Sequence, residues 1–244
     1  MSERWSAFSY LVTNLARLIR PDEITFSGVN STFPMLACLM AKRAYDWDFI
    51  YINVAGGVDP DVEHIPLSSS DPALAHGSAS IFSNEDFYDL CTRGRMDLTF
   101  LGAAQIDGEG NVNNSVIGDW HHPKVRLPGG GGGAVMLPTA RRACTWRTEH
   151  STRTLVNTLH FVTSWGGMDS VVTPIAVFKK RNGRLALESW HPEVTLDEVR
   201  ERTGFSFEHD GATLTPRPTG AERDALQSLD PEGRFEADAA VTIR

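Results

Sequence analysis

Five consecutive glycines, Gly129 to Gly133, stand between Arg126-Leu127-Pro128 and Ala134-Val135-Met136-Leu137. Glycine loses more backbone freedom on folding than any other residue, so this run is a poor helix or strand interior. A chain keeps such a run as a flexible linker. Alternatively, the run brings backbone close to a ligand and offers it several N–H groups, the ligand then being a phosphate or an acyl oxyanion. The apolar neighbours Val125, Leu127 and Ala134 to Leu137 are unlike those of a linker, which carries Ser and charged residues. A phosphate loop closing on Gly-Lys-Ser/Thr is excluded, because Ala134 and Val135 follow the glycines. A dinucleotide fingerprint fits only in the sense that five glycines satisfy almost any glycine pattern.

Periodicity outlines the rest. Phe8, Leu11, Val12, Leu15, Leu18 and Ile19 recur at helical spacing and end before Pro21. A short strand follows at Ile24–Ser27, then a helix with Pro34 in its first turn and Met35, Leu36, Leu39 and Met40 facing inward. Phe49 to Val54 has strand length and is closed by Ala55-Gly56-Gly57. Asn84 is the expected cap of a helix to Thr92, and Leu98–Leu101 a buried strand. Phe100 to Gly118 reads as strand, tight Asp-Gly turn and amide-rich strand. Leu155–Val162, Val171-Val172 and Ala176–Phe178 read as later strands, Lys180–Arg184 as a hairpin turn, and Thr195–Arg202 as a helix stopped by Gly204. The alternation predicts an α/β fold: an open, mostly parallel sheet with helices on both faces and some antiparallel pieces. One domain over 1–216 and a peripheral tail over 217–244 are expected.

Composition narrows function. A chain of 244 residues, 41% apolar and 22% charged, can bury a large core. A formal net charge of −8 without a basic block argues against nucleic acid. No apolar run approaches the ~20 residues that span a bilayer, and Met1 to Trp5 lacks a signal pattern. A cytoplasmic protein is expected. Cys38, Cys91 and Cys144 are too far apart for a metal pair or a disulfide framework, and read as small buried residues. His121-His122 is a poor metal pair, since adjacent residues of an extended segment point to opposite faces; no metal is expected.

The motifs Gly102-Ala103-Ala104-Gln105-Ile106-Asp107, Gly110-Asn111-Val112-Asn113 and Arg126-Leu127-Pro128-Gly129 resemble, in order and spacing, the β subunit of family I coenzyme A transferases, the glutaconate CoA-transferase group. The likeness extends to the amino-terminal helix and His191-Pro192-Glu193-Val194-Thr195. Within the group the chain is most similar to β subunits of actinobacterial CoA hydrolases that open the last steroid ring. The resemblance implies a sheet of the CoA-transferase (NagB/RpiA-like) type, an acyl-CoA as substrate with no separate cofactor, and an α-subunit partner in an α2β2 assembly.

In the transferases a β-subunit Glu attacks the thioester from a strand end, just before a small residue and a Gly. The matching stretch here is Asn53-Val54-Ala55-Gly56-Gly57, and Val54 stands where the acid would be. Val is neither nucleophile nor base. Asp59, Asp61 or Glu63 could return a carboxylate to that mouth, although Asp-Pro-Asp is also ordinary turn chemistry. The hydrolase resemblance instead puts the working Glu on the α subunit. Gly129, Gly130, Gly131, Gly132 and Gly133 are then the oxyanion loop. Arg126 is the candidate for a substrate carboxylate, or else forms a structural ion pair. Gln105, Asn113 and Asn114, with Asn53, Gly56 and Gly57, either meet the acyl-CoA or satisfy backbone groups around their own turns. The Trp165–Asp169 turn is structural, or floors an acyl pocket.

Three functions remain in contention. One is a β subunit of a ring-opening CoA-thioester hydrolase in steroid (cholesterol) catabolism, the reading favoured. Another is a β subunit of a dicarboxylate CoA-transferase, and the third a non-catalytic subunit that completes a partner's site.

Overall fold

The computed structural model describes residues 5–62 and 64–243. The chain divides into two compact units, one running to Phe100 and resuming at Pro216–Ile243, the other spanning Leu101–Thr215.

The first unit opens with α1 (Ala7–Ala16), capped by Ser6, whose hydroxyl accepts the Ser9 N–H at 3.2 Å. Phe8, Leu11, Val12 and Leu15 are buried, as their spacing predicts. There follow β1 (Ile24–Ser27), α2 (Thr32–Ala44), β2 (Ile50–Asn53), the two-residue strands β3 (Gly57–Val58) and β4 (Ser80–Ile81), α3 (Asn84–Thr92) and β5 (Leu98–Gly102), which begins in this unit. β1 is central, parallel to β2 on one side and to β5 on the other, while β3 and β4 continue antiparallel beyond β2. Ser83, not Asn84, caps α3, because Asp86 three residues on completes a reciprocal capping box with it.

In the second unit, β6 (Gln105–Ile106) and β7 (Val112–Asn113) form a hairpin, and β8 (Val116–Gly118) pairs with β9 (Pro123–Arg126). The glycine run leads into α4 (Gly133–Thr139). Its strands, in spatial order, are β10 (Arg142–Trp146), β11 (Met168–Val172), β12 (Ala176–Arg181), β13 (Arg184–Trp190) and, after α5 (Leu196–Arg202), β14 (Thr213–Leu214). β10 and β11 run parallel, β11 to β13 antiparallel, and β14 parallel to β13. The expected α/β class with parallel central strands and antiparallel additions is what forms.

Two expectations need correction. Residues 155–162 do not form a strand. Val156 N–H donates to Ile106 O at 2.9 Å, but the neighbouring β6 is only two residues long, so the ladder has nowhere to continue. Nor are residues 217–243 peripheral. They form α6 (Gly220–Leu229), which packs on α2, and α7 (Arg234–Thr242), which packs on α1. Ala225, Leu226 and Leu229 are buried there, and Glu222 is 3% exposed in a two-bond fork with Arg17, both bonds 2.8 Å. The three cysteines are buried and free. No helix among the described residues is long and apolar enough to cross a membrane.

Candidate active site

In the first unit β2 hands over to a tight loop at its carboxyl end, the edge where open α/β sheets bind ligands. Val54 is the first residue past the strand, half-buried, its N–H still held by Ser27 O at 3.2 Å. Asn53 is 1% exposed and faces inward. Its amide donates to Leu74 O at 2.9 Å and accepts from Ala55 N–H at 3.0 Å and Gly57 N–H at 3.4 Å. Asn53 therefore shapes the loop, with no polar atom left over for a ligand. Gly56 has φ of 92°, and a Cβ there would lie 2.8 Å from Phe82 O. At Gly57 a Cβ would lie 2.4 Å from Leu74 O. Both glycines are demanded by close backbone approach.

The displaced-acid alternative finds little support in the geometry. Asp59 accepts the Tyr51 N–H at 2.8 Å and pairs with Lys42 at 2.9 Å, so it closes the β2–β3 turn. Asp61 is exposed and lines, with Asp59, Lys42 and Leu39, a cleft of about 210 Å³ on the α2 side. Glu63 lies outside the described residues.

The second unit gathers the amide motif and the glycine run. Asp107 closes the β6–β7 turn, its carboxylate accepting the Glu109 and Asn111 N–H groups, each at 2.9 Å. Asn113 is fully buried; it donates to Gln105 Oε1 at 2.9 Å and Val116 O at 2.7 Å. Gln105 Nε2 donates to Arg153 O at 3.2 Å. Asn114 Oδ1 accepts the Ala104 N–H at 2.6 Å, and its Nδ2 donates to Gly102 O at 3.0 Å. The three amides thus satisfy one another and the surrounding backbone, the alternative left open by the sequence.

What they build is a seat for the glycine loop. Gly129 N–H donates to Asn114 O at 2.7 Å, and Leu127 N–H to Ser115 O at 3.0 Å. Gly133 N–H turns back to Gly130 O at 2.9 Å and opens α4. Among the described residues the Gly130, Gly131 and Gly132 N–H groups have no protein acceptor, and Gly131 is exposed. Gly129 and Gly131 take φ of 95° and 49°. The run is an ordered turn with three unused donors, which is what an oxyanion loop needs.

Thr163, which sequence reading missed, fixes this seat from below. Its hydroxyl accepts the Asn114 N–H at 2.8 Å and bonds Ser115 Oγ at 2.8 Å, and its methyl lies where a Gly130 Cβ would come within 2.9 Å. Nothing in the residues around 163 signals that role. Gly166 and Gly167 pack against Pro138 and the Leu137 and Ala140 carbonyls, so the 165–169 turn is structural.

Arg126 is exposed at the end of β9. Its guanidinium lies 4.8 Å over the Trp120 ring, which itself stacks on Phe161 at 4.6 Å, and it donates to Trp120 O at 3.0 Å. No carboxylate pairs with it among the described residues. His121 and His122 are exposed, their backbone N–H groups bonded to Asp119.

Known proteins share this architecture. The family model described as coenzyme A transferase matches residues 9–202. One subunit of the 3-oxoadipate CoA-transferase from Pseudomonas knackmussii is 30% identical, over 93% of this chain and 94% of the relative. One subunit of the glutaconate CoA-transferase from Acidaminococcus fermentans is 27% identical, over 91% of each. A crystal structure of the decarboxylase AibA/AibB superimposes with a TM-score of 0.89 at 28% identity, covering 95% of this chain and 98% of that one. The chain belongs to the coenzyme A transferase family.

Proposed function

We propose that this chain is the β subunit of a heteromeric enzyme that opens a ring by hydrolysis, acting on a 6-oxocyclohexene-carboxyl-CoA of steroid origin. The observation that carries this reading is Val54. It occupies the strand end where the resembling transferases keep their nucleophilic Glu, and it can form no acyl anhydride. The base is then a Glu of the α subunit.

The chemistry follows from the substrate. The base takes a proton from water, whose oxygen adds to the ring ketone, β to the thioester carbonyl. The tetrahedral alkoxide collapses to a carboxylic acid and the C–C bond to the thioester α-carbon breaks. Its electron pair becomes a thioester enolate, which is then protonated at carbon. Coenzyme A stays esterified. Charge develops on the thioester oxygen, and the free N–H groups of Gly130, Gly131 and Gly132 are the donors assigned to it. One such donor contributes about 3–4 kcal/mol. The likeness to a decarboxylase supports this reading, since that relative also breaks a C–C bond on this fold.

A second reading, CoA transfer to a dicarboxylate, is favoured by the names of the curated relatives. The α/β pair with 6-oxocyclohexene-carboxyl-CoA separates the two. Ring-opened thioester formed without an acyl acceptor, carrying one ¹⁸O from labelled water in the new carboxylate, is the expected result. CoA transfer that requires an acceptor, with a borohydride-trapped glutamyl thioester, would overturn it.

A further inference from the structure

Arg147 is the residue that follows β10. Its N–H still donates to Val172 O at 3.0 Å, so it leaves the sheet at the carboxyl end of the parallel pair β10–β11. The side chain is half-buried. Its Nε is shielded from solvent with no hydrogen-bond partner, and no carboxylate pairs with the guanidinium among the described residues. Glu149, the acid whose field reaches it, is engaged elsewhere: Ser151 Oγ donates to it at 2.7 Å and Arg153 at 2.9 Å.

Among the described residues the other half-buried arginines are all satisfied. Arg17 meets Glu222, Arg142 meets Asp169 at 3.7 Å, and Arg202 donates to His150 O at 2.9 Å. Burial pushes the Arg147 guanidinium down from its ordinary value, and Glu149 only partly offsets this. A desolvated cation without a partner weakens the fold. A chain that tolerates one at a ligand-binding edge has a use for the vacant fork.

The position suits a ligand. The loop after Arg147 is tied to the β6–β7 hairpin, Ile106 N–H donating to Thr154 O at 2.8 Å and Gln105 to Arg153 O. That hairpin runs on into Asn114, which holds Gly129. One braced element therefore connects the arginine's loop with the oxyanion loop. Arg126, by contrast, is solvated, and its guanidinium is stacked on Trp120. Such exposed cations bind carboxylates weakly.

We propose that Arg147 is the specificity residue that grips a second, free carboxylate on the acyl group of the CoA thioester. The planar fork takes both oxygens of that acid. The proposal rests on the CoA-thioester reading above and names the feature of the acyl group that the site selects.

The test uses the α/β pair, wild type against Arg147→Gln and Arg147→Lys. Two readouts are taken: the thermal-unfolding shift given by free glutarate with CoA, and kcat/KM on a 6-oxocyclohexene-carboxyl-CoA synthesised with a propionate arm against the methyl ester of that arm. In the wild type, glutarate with CoA raises Tm and the acid is preferred. Arg147→Gln abolishes the shift, lowers kcat/KM for the acid alone by about 10- to 100-fold, and leaves the ligand-free Tm unchanged or higher. Arg147→Lys restores part of the preference. A wild type without a glutarate shift, an equal fall for acid and ester, or a variant that no longer assembles with the α subunit would overturn the assignment. Failure of the wild type on both thioesters, with the glutarate shift intact and lost in Arg147→Gln, would instead retire the ring-opening reading and leave the anchor standing.

Discussion

The Asn114 carbonyl accepts the Gly129 N–H at 2.7 Å, and so the residue that ends the amide hairpin also fixes the first glycine of the donor loop. The Asn114 side chain meanwhile spans Gly102 O and Ala104 N–H. Asn114→Ala leaves the half-buried Ala104 N–H unpaired, at about 1–3 kcal/mol, while the exposed Gly102 carbonyl turns to water. The expected outcome is lowered stability together with a kcat fall of about 10- to 100-fold, through misplaced donors. Steady-state kinetics beside chemical denaturation checks it; full kcat in the stable fraction would show that the loop holds itself.

Val54→Glu tests what the strand end can do. The site is half-buried and lies past the last β2 residue, so a carboxylate fits there with little loss of stability. The variant, paired with its α subunit and given an acyl-CoA, is expected to yield a borohydride-trapped adduct on residue 54 that the wild type never shows. Mass spectrometry of the trapped peptide reads it directly.

Gly57 has no room for a methyl group, because its Cβ would lie 2.4 Å from the Leu74 carbonyl. Gly57→Ala must shift backbone on one side or the other. A loss of about 2–4 kcal/mol, typical of severe overpacking, is expected. Gly94→Ala is the contrast: it meets nothing within 4 Å and is strained only by its φ of 65°. Urea unfolding of the two variants should rank them in that order.

Two buried histidines make the fold acid-sensitive. Burial holds His150 down to about 3 and His191 down to about 4. His150 is bonded through both ring nitrogens to the Thr173 and Thr203 hydroxyls. Unfolding releases each to its ordinary value near 6.5, so the unfolded chain binds protons first as pH drops. The stability they contribute is complete above about 6.5 and is lost progressively towards 4 and below. Each adds a slope of about 1.4 kcal/mol per pH unit in that window. His150→Gln should remove one proton's share of the slope between pH 6 and 4, measured by denaturant midpoints at several pH values.

Glu222 ties the carboxyl-terminal helices down. Burial pushes its carboxyl up, yet the Arg17 fork, the Thr219 N–H and the Tyr45 hydroxyl bring it below the ordinary value. Glu222→Ala leaves the Arg17 guanidinium, about a quarter exposed, on the Pro216 and Arg217 carbonyls alone, and a loss of about 1–3 kcal/mol is expected. Limited proteolysis should then cut within 216–243 before any other segment; resistance equal to wild type would mean that apolar packing alone holds α6.

Local chemistry was the readable part of this sequence. The helix start at Thr195, which the structure closes with a capping box to Glu198, and the Asn182-Gly183 turn, with φ of 51° and 81°, act within four residues and fold as their residue types dictate. The Gly129–Gly133 run was likewise legible as an ordered turn and not a linker, because its apolar flanks are local information. α6 was not, since what stabilises it is Arg17, 205 residues away. β10 escaped for a related reason: Arg-Ala-Cys-Thr-Trp has no β-branched run, and its strand identity comes from pairing with β11. In the site, the residue types at 105, 113 and 114 were right for either ligand or scaffold. Only the placement of Ala104, Arg153 and Thr163 decides between those uses. Arg147 carried no motif; its interest lies in the absence of a partner, which no linear reading reveals.

The contact between Arg17 and Glu222 has a consequence during synthesis. A ribosome that has made the first hundred residues has made every strand of the first unit's sheet but not the helices that cover α1 and α2. Those faces stay bare until α6 and α7, more than a hundred residues further on, have emerged. A nascent chain of this kind is expected to lean on chaperones in that interval, and truncations that remove α6 and α7 should aggregate though they leave the glycine loop untouched.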